Sequence, residues 1–112
     1  MKITSINDIS NQAVSHNAAI QKKVMLHSQD IPNLIYFSQA EFPPGEKAAA
    51  HFHQDMCEVF FVESGRGIIY IDGKEYTLEK GVCVVVEIGE VHELINNSSE
   101  NLIITYFGVK VT

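Results

Sequence analysis

A chain of 112 residues with 46% hydrophobic side chains is enough for one domain with a single sizeable core, and leaves no room for an attached DNA-binding module. Its formal charge of −6 and its eight scattered Lys and Arg argue against nucleic acid, whose phosphates demand concentrated cations. No apolar run approaches the roughly 20 residues of a membrane span, no signal-type apolar core follows Met1, and a cytoplasmic location with free Cys57 and Cys83 is expected.

Residues 1–19, rich in Ser and Asn, read as an arm or short strand, since no capped helical period runs through Ile6 to Ile20. Ile20 to Leu26 reads as a strand with Ile20, Lys22, Val24 and Leu26 on one face and His27 exposed at its end. Ile31-Pro32-Asn33 turns the chain, and Leu34 to Phe42 alternates as a longer strand that Pro43-Pro44-Gly45 stops. In the next strand Lys47, Ala49, His51 and His53 share a face if it is regular, which puts Lys47 either at the mouth of a barrel or in solvent. Met56 to Glu63 follows, with Phe60 and Val62 on the face of Glu58, and Cys57, Val59 and Phe61 on the other. Ser64-Gly65-Arg66-Gly67 suggests a hairpin return, and Asp72-Gly73 a two-residue hairpin between Gly67 to Ile71 and Lys74 to Leu78. Val82 to Val86 is expected as a buried strand with Cys83 in the core, Val91 to Ile95 as another, and Leu102 to Val111 as the last. Short strands with turns at this spacing predict an all-β antiparallel sandwich or barrel.

Chemistry concentrates in two stretches. His51 and His53, two apart on a strand, point to one side, and Glu58 opens the following strand after a bend of four residues, so that it can turn back toward them. Two neutral imidazoles and a carboxylate form the N/O donor set that divalent transition metals favour. His92, between valine and leucine neighbours, reads alone either as a hydrogen-bonded core residue or as a further ligand; three candidates already in place favour the ligand.

These residues resemble the two motifs of the cupin superfamily. The first runs Gly, five residues, His-x-His, three or four residues, Glu, six residues, Gly, and Gly45, His51, His53, Glu58 and Gly65 fit it without a gap. The second is matched by Gly81, Gly89, His92 and Asn96, with Glu87 where the motif has proline and Val82 where an Asp often stands. The resemblance directly covers residues 45–96, and implies a cupin-like barrel or jelly roll over 1–112 holding one divalent transition metal (Fe, Mn, Ni, Zn or Cu) through His51, His53, Glu58 and His92. It names no reaction, because the fold hosts many.

A shell of three histidines and one glutamate leaves coordination positions open, which points to a metal-dependent enzyme on a small oxygen-bearing molecule, an oxygenase or a non-redox isomerase or lyase. A non-catalytic module that binds or senses a small ligand through the same metal is the alternative. Tyr36, Tyr106 and Asn96, with Tyr70 and Glu93 behind them, are the candidates for an acid or base, although alternation turns Glu93 away from His92. Phe60, Val62 and Leu94 follow Glu58 and His92 at strand period and are expected to line the ligand cavity. The strand Val59 to Val62 is apolar on both faces, so either a second copy in a homodimer or the N-terminal arm should cover the outer one.

Overall fold

The computed structural model describes residues 1–15 and 17–111. His16, inside the stretch expected as an arm, and Thr112 lie outside the described residues. Among the described residues a 3-10 turn, Ile6–Asp8, precedes ten strands: β1 (Gln12–Val14), β2 (Asn17–His27), β3 (Leu34–Phe42), β4 (Lys47–His51), β5 (Met56–Ser64), β6 (Arg66–Ile71), β7 (Lys74–Glu79), β8 (Cys83–Val86), β9 (His92–Ile95) and β10 (Leu102–Lys110). Every pairing is antiparallel, as expected. The strands form two sheets, ordered β1-β2-β3-β10-β5-β8 and β4-β9-β6-β7, whose ladders do not join, so the jelly roll is an open sandwich rather than a closed barrel. No helix among the described residues is long and apolar enough to cross a membrane.

The period-2 alternation that marks each strand also builds the core. Phe60 and Val62 of β5, Ile104 of β10 and Phe42 of β3 meet Ile69 of β6, Leu78 of β7 and Leu94 of β9 from the facing sheet. Ile69, Leu78, Leu102 and Ile104 are completely buried, each worth about 1.5–3 kcal/mol of transfer free energy. On the inner face of the larger sheet, register stacks the side chains in cross-strand rows. Ala40, Ile104 and Val62 form one row, Ser38, Tyr106 and Phe60 the next, and Tyr36, Gly108 and Glu58 the last.

Several expectations are corrected. A register shift between Val24 and Leu26 breaks the regular face of β2, so Val24 stands opposite inward Ser38 while Leu26 stands opposite Phe37 on the outer side. Ser64 to Gly67 is no hairpin: Gly65, at φ +85°, carries the chain from one sheet into the other. β8 is an edge strand with an uncovered outer face, so Cys83 and Val85 are exposed rather than core. The Asp72-Gly73 hairpin forms as expected, both residues having the positive φ that such a turn requires.

Gly65 and Gly73 offer a controlled comparison. Both have φ near +80°, but a Cβ on Gly65 would lie 2.2 Å from the backbone oxygen of Asn101, whereas one on Gly73 meets nothing within 4 Å. Gly73→Ala should cost about 1 kcal/mol, for conformation alone, and Gly65→Ala about 3 kcal/mol or more. Equal losses in urea unfolding would show that the close approach to Asn101 contributes nothing.

Candidate metal centre

On β4 the inward parity begins on even numbers: Ala48 packs against the core opposite Leu94, and Lys47 is exposed. A regular strand would therefore turn His51 outward. A one-residue register shift between Ala48 and His51 reverses this and sets His51 opposite His92. The same shift corrects the expectation that Lys47 shares the histidine face, since its ammonium lies 4.0 Å from Glu93 Oε2 on the outer surface. β4 ends at His51, so His53 comes from a loop rather than a strand, anchored where its carbonyl accepts the Gly89 N–H at 2.8 Å. The three imidazoles still converge, with ring centroids 5.0 Å apart for His51 and His53, 4.3 Å for His51 and His92, and 5.5 Å for His53 and His92.

Glu58, 4% exposed on the inner face of β5, points into this cluster. Its Oε1 lies 3.0 Å from His92 Nε2 and 3.0 Å from His53 Nε2, and its Oε2 accepts a hydrogen bond from the Tyr36 hydroxyl. The contact with His53 has the distance of an ion pair without the direction of a hydrogen bond, which leaves His53 Nε2 a buried nitrogen with no partner. Nδ1 of His51 meets the Ala49 carbonyl at 2.8 Å, and Nδ1 of His92 meets the Glu90 carbonyl at 3.1 Å. A carbonyl only accepts, so both Nδ1 atoms carry protons and both Nε2 atoms of the neutral rings present lone pairs to the cluster. A carboxylate facing such a lone pair at 3.0 Å is repelled unless a proton or a cation lies between them.

Four donor atoms, one from each of His51, His53, Glu58 and His92, lie within 4.8 Å of one another. Opposite ligands of one ion at about 2.1 Å stand about 4.2 Å apart, so the cluster fits a single metal after shifts of a few tenths of an ångström. The residues could hold a metal ion, and the buried, partnerless His53 nitrogen is the feature that most calls for one.

Glu87 takes the place of the motif proline with a different device for the same turn. Its N–H, which proline would lack, donates to Glu90 Oε1 at 2.7 Å, and the Glu90 N–H donates to the Glu87 carbonyl at 3.2 Å. Gly89 supplies the positive φ, +79°, at the third position of this turn. Glu90 thereby fixes the loop with its side chain and orients His92 with its carbonyl, a role that the sequence pattern did not single out.

The remaining sequence candidates separate. Tyr36 reaches Glu58. Tyr106 stacks on Phe60 with centroids 5.7 Å apart and meets the edge of Tyr36 at 5.5 Å; burial and the Glu58 charge push its hydroxyl up to about 12. Asn96 shares the inward face of His92 but is committed to the backbone, donating to the carbonyls of Phe42 at 2.8 Å and Glu100 at 2.7 Å and accepting from Ser98 N–H. Tyr70 is not in the interior; its hydroxyl donates to Glu75 Oε1 on the outer surface. Phe60 stands 6.1 Å from His92 between ring centroids, whereas Val62 and Leu94 lie deeper in the apolar core. A cleft of about 280 Å³ touching His92 is lined by Ala50, Tyr70, Gly73, Val91 and Glu93 instead, and a larger one of about 560 Å³, around Arg66 and Ser98, lies away from the cluster.

The chain belongs to the cupin domain family, whose profile matches residues 38–108. A protein of Thermotoga maritima named an oxalate-binding protein is 26% identical over 66 residues, a match spanning 59% of this chain and about half (54%) of that relative. In structure the chain resembles a predicted oxalate decarboxylase from Thermotoga maritima, with a TM-score of 0.91, 17% identity, and coverage of 98% of this chain and 100% of the other. It also resembles KdgF from Halomonas sp., with a TM-score of 0.82, 19% identity, and coverage of 99% and 96%. These structures share the fold.

The charges at Glu58 and His92 make a pH prediction for metal-free protein. Burial raises the Glu58 carboxyl, but hydrogen bonds from His92 and Tyr36 and the nearby imidazoles outweigh it, so it sits below its ordinary 4.5. Burial likewise lowers His92, and the hydrogen bond to Glu58 outweighs that, holding it above its ordinary 6.5. The stability from His92 is present below its unfolded value and is lost as pH rises through its raised folded value. That from Glu58 is present above its unfolded value and is lost as pH falls through its lowered one. Metal-free Tm should therefore fall as pH rises through the histidine range, while affinity for a divalent ion, which needs neutral imidazoles, should rise. Calorimetric scans would detect the opposite slopes; a metal-free Tm that climbs over the same range would break the pairing of Glu58 with His92.

Proposed function

We propose that His51, His53, Glu58 and His92 hold one divalent transition metal and that the chain uses it to bind a small oxygen-bearing ligand, a dicarboxylate such as oxalate before others. The observation that carries this reading is the buried His53 Nε2 without a partner, facing the carboxylate that also meets the His92 lone pair. Three nitrogens and one oxygen suit iron, manganese, nickel, zinc or copper, and leave two positions on a six-coordinate ion. When bound, such an ion supplies an open Lewis acid that attracts paired oxygens. The name of the oxalate-binding relative supports the same ligand class.

The chain's own residues support binding. His51 is exposed and His53 half-buried, which marks the side from which a ligand reaches the cluster, while Phe60 stacked on Tyr106 excludes water behind it. Tyr106 keeps its proton at neutral pH and is a donor, not a base. Turnover by an oxygenase, isomerase or lyase is the second reading, favoured by the same open positions. Among the sequence candidates, however, Tyr36 is engaged by Glu58 and Asn96 by the backbone, so neither is free to move a proton on a ligand.

Two expected outcomes check this reading. Replacing His51, His53 or His92 with Ala should reduce bound metal well below one per chain by elemental analysis, and Glu58→Gln should reduce it less, because an oxygen donor survives. Oxalate should then bind the metal-loaded protein in calorimetry and not the metal-free protein. If two of the three histidine variants kept full metal, the ligand set would be wrong; if loaded protein ignored oxalate, the ligand class would be.

We also propose a homodimer built on the outer face of the larger sheet. Register aligns Val85, Val59, Phe107, Phe37 and Leu26 in one row there, beside Phe61, which is 39% exposed. Contiguous apolar surface of this kind is stable in water only when covered. Light scattering should return twice the 12.5 kDa chain mass, and Phe61→Asp should return the monomer; a wild-type monomer at micromolar concentration would refute it.

A further inference from the structure

We infer that Tyr36 is a positioning residue that restricts Glu58 to a single metal-facing oxygen, and that Gly108 is the gap through which it does so. The inference rests on the four-ligand reading above. Tyr36 on β3 and Glu58 on β5 are not on adjacent strands: β10 runs between them, and Gly108 is the residue paired with both. Any side chain at 108 on this inner face would stand between them. A Cβ there would lie 3.2 Å from Tyr36 Cζ, 3.4 Å from its hydroxyl oxygen and 2.9 Å from Met56 Sδ. Its absence lets the phenol cross the strand and donate to Glu58 Oε2.

The two carboxylate oxygens are thereby divided. Oε1 faces the nitrogens of His53 and His92, and Oε2 is occupied on the far side by Tyr36. A carboxylate free on both sides can turn and grip an ion through both oxygens, which fills one of the positions a ligand would use. With Oε2 engaged, Glu58 contributes one donor and two positions remain for a chelating ligand. Tyr36 itself is held by the edge of Tyr106, 5.5 Å away between centroids, and Phe60 stacks on Tyr106 in turn, so the hydroxyl is aimed by packing rather than by chance.

Tyr36→Phe keeps the ring and removes the hydroxyl. In the 112-residue chain, its affinity for zinc or manganese should stay level or tighten, while oxalate binding to the loaded protein should weaken about tenfold because only one position stays open to a chelator. Gly108→Ala keeps the hydroxyl but displaces it, and should weaken oxalate in the same direction. A residue that merely supports the fold would move both affinities the same way, so the split between metal and oxalate is the decisive readout. Oxalate bound by Tyr36→Phe as tightly as by wild type, or metal lost in parallel with oxalate, would overturn the inference. Wild-type protein that takes up no metal would overturn the four-ligand reading instead, and the two failures are distinct.

Discussion

A carboxylate oxygen set 3.0 Å from two imidazole nitrogens is tolerable only with positive charge among them, and the local architecture of β4, β5 and β9 depends on how that charge is supplied. Each buried polar atom left without a partner costs about 1–3 kcal/mol. A chain of this size has a total stability of about 5–15 kcal/mol, so an unsatisfied cluster would consume much of it. A proton on His92 relieves only part of the conflict, since His53 Nε2 remains without a partner. One divalent ion would satisfy all four donors together, which ties the stability of this corner of the fold to its ligand chemistry.

The gathering of His51, His53, Glu58 and His92 was legible in the sequence because the spacing within each of the two short stretches that carry them is a local property. The route by which they meet was not. Alternation along β4 predicts a face shared by Lys47 and His51, and that inference fails at a single inserted residue between Ala48 and His51. A bulge leaves no composition signal in Ala48-Ala49-Ala50, where every side chain is a methyl group and any register is equally apolar. Leu26 is likewise turned outward by an irregularity, the one after Val24, and its neighbours on β2 have no pattern strong enough to mark it. Conversely the Asp72-Gly73 turn was legible, because positive φ at two consecutive positions admits few residues.

Which sheet a strand joins was the other hidden variable. Val82 to Val86 looks buried by composition, yet β8 is an edge strand and its odd-numbered residues face outward. Asn96 and Gly108 show the limit from the opposite side. Asn96 reads as a polar group on the ligand face, but its amide closes a loop by bonding Phe42 and Glu100, contacts 54 and 4 residues away that periodicity cannot foresee. Gly108 carries no chemistry of its own. Its meaning arises only from the two strands that register places on either side of it.

The cluster also spans the sandwich. Glu58 belongs to the larger sheet, while His51 and His92 belong to the smaller one and His53 to the loop that joins them. Away from the cluster the sheets are held by apolar contacts such as Val62 and Ile104 against Ile69 and Leu94, which are non-directional and indifferent to small sliding. At the cluster the contact is made by directional donor atoms, for which a displacement of even half an ångström matters. Tyr36 reinforces this from the larger sheet and Glu90 from the turn that leads into β9, each meeting one side chain of the cluster with a single hydrogen bond. The apolar interior therefore brings the sheets together, and the polar corner sets where they stop. That division of labour explains why a site built from only four side chains requires rigid strands on both sides, and why the bulge in β4 is better read as part of the site than as a defect beside it.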